Sequence, residues 1–189
     1  METILVRHAQ SEYNAGLTKF LDSDISEQGM IQAKAVSQYI LERFPNIKEF
    51  TGFVSPYRRC LQTARVISQH TGLSFHVTPG PREIMTKYDT FMLENHKEHF
   101  PEFTWGHDER LVFLNETDEQ FIDRIKSFHD SVNHIDKKII VSHGTPINTF
   151  YELSCQIPPT ADTVKYVRNC SVSYIRDGVG ELFDHVSWV

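Results

Sequence analysis

The chain has 189 residues, of which 40% are hydrophobic and 12% aromatic, enough to enclose one well-packed core but short of two independent ones. A formal net charge of −6 excludes a surface that holds nucleic acid or anionic lipid over a broad area, so any anion site has to be local. No run of about eighteen consecutive apolar residues occurs and the first residues lack a basic, apolar leader pattern, which predicts a soluble, cytoplasmic protein with no membrane partner.

In chain order, the first element is the run Ile4-Leu5-Val6, which reads as a strand buried on both faces and ends abruptly in Arg7 and His8. Ser26 is then placed to cap a helix in which Met30, Ala33, Val36, Ile40, Leu41 and Phe44 recur at helical spacing, with Pro45 closing the far end. Phe53-Val54 is a second buried run. Ser55-Pro56 after it reads as a cap followed by proline at the first helical position. The helix so predicted runs from Tyr57 to about His70, buries Cys60, Leu61, Ala64 and Ile67, and stops at Gly72. A further segment, Phe75 to Val77, leads through Pro79-Gly80-Pro81 to Arg82-Glu83.

Residues 85 to 116 are rich in aromatic, histidine and acidic side chains without a sustained period, and such an insertion predicts a lid or binding loop. Phe91, Phe100, Phe103 and Trp105 read as its own small core. His96-x-x-His99, with His107 and Asp108 downstream, lacks cysteine support and tight spacing, so it reads as solvated loop histidines and no metal site. Thr117 followed by Gln120 is a capping box opening a helix through Phe121, Ile125, Phe128 and Val132. Ile139-Ile140-Val141 is the third buried run and ends in Ser142-His143-Gly144. Thr145-Pro146 repeats the cap-and-proline signal before Ile147, Phe150, Tyr151 and Leu153. Val172 to Ile175 and Leu182 to Val186 read as closing strands joined by a glycine turn at Gly178 and Gly180. Cys60, Cys155 and Cys170 are odd in number and widely spaced, hence read as three buried thiols. Asn115-Glu116-Thr117 and Asn169-Cys170-Ser171 match the glycosylation sequon and, with no leader pattern, read as chance.

Strands alternating with helices predict an α/β fold, a three-layer α/β/α sandwich with a mostly parallel central sheet, as one domain over residues 1–189 with the insertion at about 85–116. Ligands in such sheets gather beyond the carboxyl ends of the strands. There the order of elements brings Arg7-His8, the helix start bearing Arg58 and Arg59, His143-Gly144 and Arg82-Glu83 to one edge. Arginine forks match phosphate oxygens and helix starts add unpaired N–H groups, so the edge suits a phosphoryl group. Arg58 and Arg82 read as rim residues, and Asp89 is a second carboxylate candidate.

The stretches LVRHAQSEYN, DSDISEQGMIQA, SPYRRCLQTA, REI and VSHGTPI, in this order, resemble the histidine phosphatase superfamily, also called the phosphoglycerate mutase-like family. The resemblance implies that His8 is a nucleophile that becomes phosphohistidine, that Arg7, Arg59 and His143 hold the phosphoryl oxygens, and that Glu83 is the acid and base. It further implies that Asn14 and the backbone N–H of Gly144 contribute to the phosphate pocket, that no metal and no cofactor takes part, and that the partner is a small phosphorylated substrate. Ala9 stands where most members place glycine, Ser11 where threonine is common, and Ile84-Met85-Thr86-Lys87 replaces the usual glycine, aromatic and Glu-Gly run.

Three activities remain open at this point. The first is a metal-independent phosphatase acting on a small phosphomonoester through phosphohistidine. A mutase would use the same groups to return the phosphoryl to another hydroxyl; family mutases tend to be longer, with a C-terminal tail that excludes water, whereas this sequence ends soon after its closing strands. The third is a phosphate-binding regulatory protein without turnover. The oligomeric state stays open between monomer and homodimer.

Overall fold

The computed structural model describes residues 1–84, 91–93, 96–106, 111–113, 116–159 and 166–188. Its elements are β1 (Glu2–Arg7), α1 (Glu27–Arg43), β2 (Thr51–Val54), α2 (Arg58–Thr71), β3 (Phe75–Val77), β4 (Phe91–Leu93), β5 (Thr104–Trp105), β6 (Leu111–Phe113), α3 (Asp118–Val132), β7 (Lys137–Ser142), α4 (Gly144–Ser154), β8 (Val172–Arg176) and β9 (Val179–His185). Seven strands form one sheet in the order β5-β3-β2-β7-β1-β8-β9, and β4 pairs with β6 apart from it. The pairs β1–β7, β2–β7, β2–β3 and β3–β5 are parallel; β8 is antiparallel to both β1 and β9. The expected α/β class and mostly parallel sheet are therefore what the chain adopts.

Alternation along the central strands supplies both faces. Ile4 and Val6 of β1, with Ile139 and Val141 of β7, face α1 and α2 and pack with Ala33, Val36, Ile40, Leu61, Ala64 and Ile67. Leu5 and Ile140 point the other way, to Phe121, Ile125, Phe128, Ile147 and Phe150 of α3 and α4. Strands buried on both sides need apolar residues at successive positions, which is why these runs do not alternate with polar residues.

Local signals set most boundaries. The Ser26 side chain accepts from Gly29 N, and Thr117 forms the complete capping box with Gln120. Gly72 closes α2 in the left-handed region at φ 75°. Asp177 and Gly178, both at positive φ, make the two-residue turn between β8 and β9, whereas Gly180 lies inside β9 and not in the turn.

Several expectations are corrected. Helix α2 starts at Arg58 with Tyr57 as its cap, and α4 starts at Gly144 with His143 as its cap, so neither Ser55 nor Thr145 is a helix cap. Ser55 is occupied by a hydrogen bond to His143 instead. Phe100 and Phe103 join the main core beside Phe75 and do not form a separate one, because β5 brings the insertion onto the sheet edge. His96 is buried and bonded to Asp22, and Arg82 is buried against Glu116. Cys60 and Cys170 are buried but Cys155 is part-exposed. Asp89, His107 and Asp108 lie outside the described residues. Among the described residues no helix is long and apolar enough to cross a membrane.

Candidate active site

From β1 the chain crosses to β2 on one side of the β1–β7 pair, and from β7 it crosses to β8 on the other. The pair is thus the point at which connections diverge, and ligands in open α/β sheets bind beyond the carboxyl ends of strands at such a point. Register places Arg7 opposite Ser142, and His8 N donates to Ser142 O at 2.8 Å, so His8 and His143 emerge side by side. Their rings are 5.1 Å apart between centroids, edge to face at 65°.

Arg59, in the first turn of α2, lies across both rings. Its Nε donates to His8 Nε2 at 3.2 Å and its Nη2 to His143 Nδ1 at 3.1 Å, while Nη1 donates to Leu21 O at 2.7 Å. A guanidinium only donates, so both imidazole nitrogens facing it are acceptors. His8 Nδ1 is 2.7 Å from Ala9 O, which only accepts; the proton is therefore on Nδ1 and the lone pair on Nε2. The same logic puts the His143 proton on Nε2, 2.9 Å from Ser55 Oγ.

Electrostatics keep both rings neutral, as these tautomers require. Burial, then the Arg59 and Arg7 charges, hold His8 well below the ordinary histidine range, against the opposing effect of its bond to Ala9 O. Burial and Arg59 lower His143 in the same way. Cys60 Sγ lies 3.4 Å from His143 Nε2, and its thiol is pushed up to about 12 by burial, so it is a protonated wall of the site and no nucleophile.

Arg7 donates through Nη1 to Val167 O and has its Cζ 5.7 Å from the Tyr166 ring. Its Nε is buried without a hydrogen-bond partner among the described residues. A Cβ built on Gly144, the first residue of α4, would come within 3.9 Å of that Nε, which places the helix start against the arginine. Asn14 is exposed, and its Oδ1 accepts at 3.4 Å from Ser11 N and from Asn169 Nδ2. Glu83 is part-buried, and withdrawal from water raises its carboxyl above the usual glutamate range. The Ile84 N–H, Arg59, Arg7 and a Thr145 hydrogen bond work against the rise. The structure therefore brings His8, Arg7, Arg59, His143 and Gly144 together, with Asn14 and Glu83 at their margin. Arg58 is turned away, paired with Asp24 at 2.6 Å.

Ala9, which stands where most members place glycine, is tied down through its backbone. Its N–H donates to Thr63 Oγ1 at 3.0 Å, and Thr63 Oγ1 donates to Arg59 O at 2.7 Å, so one hydroxyl couples the backbone after His8 to the backbone of Arg59.

Other groups at the site escaped the sequence reading. The Tyr57 ring meets His143 at 5.0 Å and carries Arg59 Cζ 4.6 Å from its centroid. Asn169 Nδ2 donates to His8 O at 3.0 Å, and Trp188 Nε1 donates to Asn169 O at 2.9 Å. Cys170 N–H reaches both Arg7 O and His8 O from a residue at φ 51°. Asn169 stood out in the sequence only as part of a sequon, and nothing local marks a residue that folds back over the first strand. Asp22 accepts from Arg58 N at 2.7 Å and bonds His96 Nε2 at 2.7 Å, joining the start of α2 to the insertion.

The sequence model of the histidine phosphatase superfamily, branch 1, matches residues 3–183. A protein of Hydrogenobacter thermophilus bearing the assigned name phosphoserine phosphatase 2 is 33% identical over 160 residues, 80% of this chain and 75% of that protein. Among solved structures, mycobacterial glucosyl-3-phosphoglycerate phosphatase complexed with VO3 aligns with a TM-score of 0.70 at 19% identity, over 97% of this chain and 98% of that one. Phosphoserine phosphatase of Entamoeba histolytica in complex with 3-phosphoglyceric acid aligns with a TM-score of 0.67 at 22% identity, over 99% of this chain and 98% of that one. At these identities the two structures speak to the fold.

Proposed function

The chain belongs to the histidine phosphatase superfamily, branch 1, and on that premise we propose that it is a phosphatase hydrolysing a small phosphomonoester through a phosphohistidine on His8. The observation that carries this reading is the His8 tautomer: Nδ1–H is committed to Ala9 O, which leaves the Nε2 lone pair facing a guanidinium and a second imidazole. That is the arrangement an in-line attack on phosphorus needs.

In the first half-reaction His8 Nε2 forms a bond to phosphorus while the bond to the leaving oxygen breaks, and Glu83 gives that oxygen its proton. In the second, water attacks phosphorus, Glu83 takes the water's proton, and the bond between phosphorus and Nε2 breaks. Inorganic phosphate leaves and the starting protonation state returns. Arg7, Arg59 and His143 stabilise charge on the equatorial oxygens, with Gly144 N–H and Asn14 as further donors. An arriving dianion offsets the guanidinium charges that help keep His143 neutral. The ring then takes a proton from water at Nδ1, donates it in a hydrogen bond to a phosphoryl oxygen, and returns it to water when phosphate leaves. These charges supply what divalent cations supply in other phosphoryl transfer sites.

The name of the Hydrogenobacter relative supports phosphoserine as the first substrate to try. Purified protein, assayed with chelator present, is expected to release free phosphate from phosphoserine or a similar small phosphomonoester, and the His8→Ala variant is not. Equal hydrolysis by the variant would remove His8 as nucleophile. Phosphoryl transfer to a second hydroxyl without free phosphate would make the chain a mutase instead.

A further inference from the structure

Glu83 follows Pro79-Gly80-Pro81-Arg82, a stretch outside any helix or strand. What fixes such a segment is visible at its carbonyls. Arg124 of α3 donates through Nη1 to Gly80 O at 2.7 Å and to Arg82 O at 3.1 Å, and Ser142 of β7 donates through Oγ to the intervening Pro81 O at 2.5 Å. Three consecutive carbonyls are thus each taken by a side chain from α3 or β7. The last of them belongs to the peptide that joins Arg82 to Glu83, so its anchoring sets the direction in which the Glu83 side chain leaves the backbone.

Arg124 is itself aimed. Glu116 accepts from its Nε at 3.0 Å and from its Nη2, and also accepts from Arg82 Nη1 at 2.8 Å and Nη2 at 3.3 Å. The three side chains are only 17%, 8% and 11% exposed, in the order Arg124, Glu116, Arg82, so water competes little for these charge-assisted bonds. Gly80 lies so close to α3 that a Cβ there would come within 2.5 Å of the Phe128 ring, so backbone and helix touch directly.

We propose that Arg124, held in place by Glu116, is the positioning residue for Glu83: it fixes the peptide before Glu83 so that the carboxyl reaches the leaving oxygen. This rests on the reading of Glu83 as proton donor and goes beyond it by naming what aims the group. A proton donor matters for a poor, alkoxide leaving group and little for a phenolate that departs without help. The two kinds of substrate therefore separate loss of aim from general damage.

The experiment measures kcat/KM of wild type, Arg124→Ala, Glu116→Gln and Glu83→Gln on phosphoserine and on p-nitrophenyl phosphate. Arg124→Ala is expected to lose about 10- to 100-fold on phosphoserine, the scale of a misplaced reacting group, and to stay within about threefold on the aryl ester. Glu116→Gln is expected to show the same selectivity at smaller amplitude, and it decides the matter should Arg124→Ala not fold. Arg124→Lys, which cannot span both carbonyls and the carboxylate, is expected to restore little of the loss. Equal losses on both substrates, or none on either, would overturn the proposal. If Glu83→Gln is selective and the Arg124 and Glu116 variants are not, the positioning role alone fails. If Glu83→Gln shows no selectivity, the proton-donor reading fails and takes the proposal with it.

Discussion

His8 and His143 stand on neighbouring strands whose hydrogen-bonded register puts them side by side, whereas Glu83 stands on an irregular segment tethered by side chains from α3 and β7. The first region is held by main-chain ladders that almost any apolar strand sequence would make. The second depends on particular donors, Arg124 and Ser142, at particular places. The contrast teaches that the His8–His143 floor and the Glu83 segment are separately built, so on the proposed reading they should fail separately when mutated.

The largest effect is expected at the floor. His8→Ala should lower turnover about 10⁴-fold or more, since a lost nucleophile removes the covalent route altogether. Rapid mixing with phosphoserine, followed by an alkaline quench that preserves phosphohistidine, should show a phosphoenzyme in wild type and none in the variant. Arg59→Ala comes next, with an expected loss in kcat of about 10²- to 10³-fold, the scale of one transition-state donor. A loss within a factor of a few would mean that Arg59 does not clamp the transferring group.

Legibility followed the same division. The apolar runs of β1 and β7 and the alternation of strands and helices exposed the fold, because a strand buried on both faces must be written in consecutive apolar residues. Arg7, His8, Arg59 and His143 lay at the ends of those readable elements and could be placed together from topology. Asn169, Tyr57 and the Asp22–His96 pair could not. Their roles come from contacts between segments 161, 86 and 74 residues apart, which leave no periodic trace in either partner. Two helix starts were misplaced because Ser55 and Thr145 mimic caps while Ser55 serves His143 and Thr145 serves Glu83.

A smaller effect is expected in the tethered region, and pH exposes it. His8 titrates below the usual histidine range, so kcat/KM falls as pH drops through its pKa and Nε2 becomes protonated. Glu83 titrates above the usual glutamate range, so kcat/KM on an alkyl phosphate falls as pH rises through its pKa and the donor loses its proton. The profile is therefore expected to be bell-shaped. Glu83→Gln should cost about 10²-fold on the alkyl ester and remove the alkaline limb while keeping the acid one. A limb that survives the substitution belongs to another group.

The smallest effect on chemistry is expected where the insertion meets the floor. His96→Ala leaves Asp22 Oδ2 without its partner in a buried setting, which should cost about 1–3 kcal/mol in denaturant unfolding. The leaving-group selectivity should stay as in wild type, because Asp22 still holds Arg58 N at the start of α2. Selectivity that moved with this variant would join the two regions that the contrast keeps apart.

The 5.1 Å between the two imidazoles is inherited from the spacing of adjacent strands, about 4.8 Å in any sheet. On the proposed reading it serves as a gauge for one tetrahedral group, set by main-chain geometry. Sequence drift in the segments above it can admit a different alcohol without resetting the gauge. Such a scaffold can change its diet while keeping its chemistry.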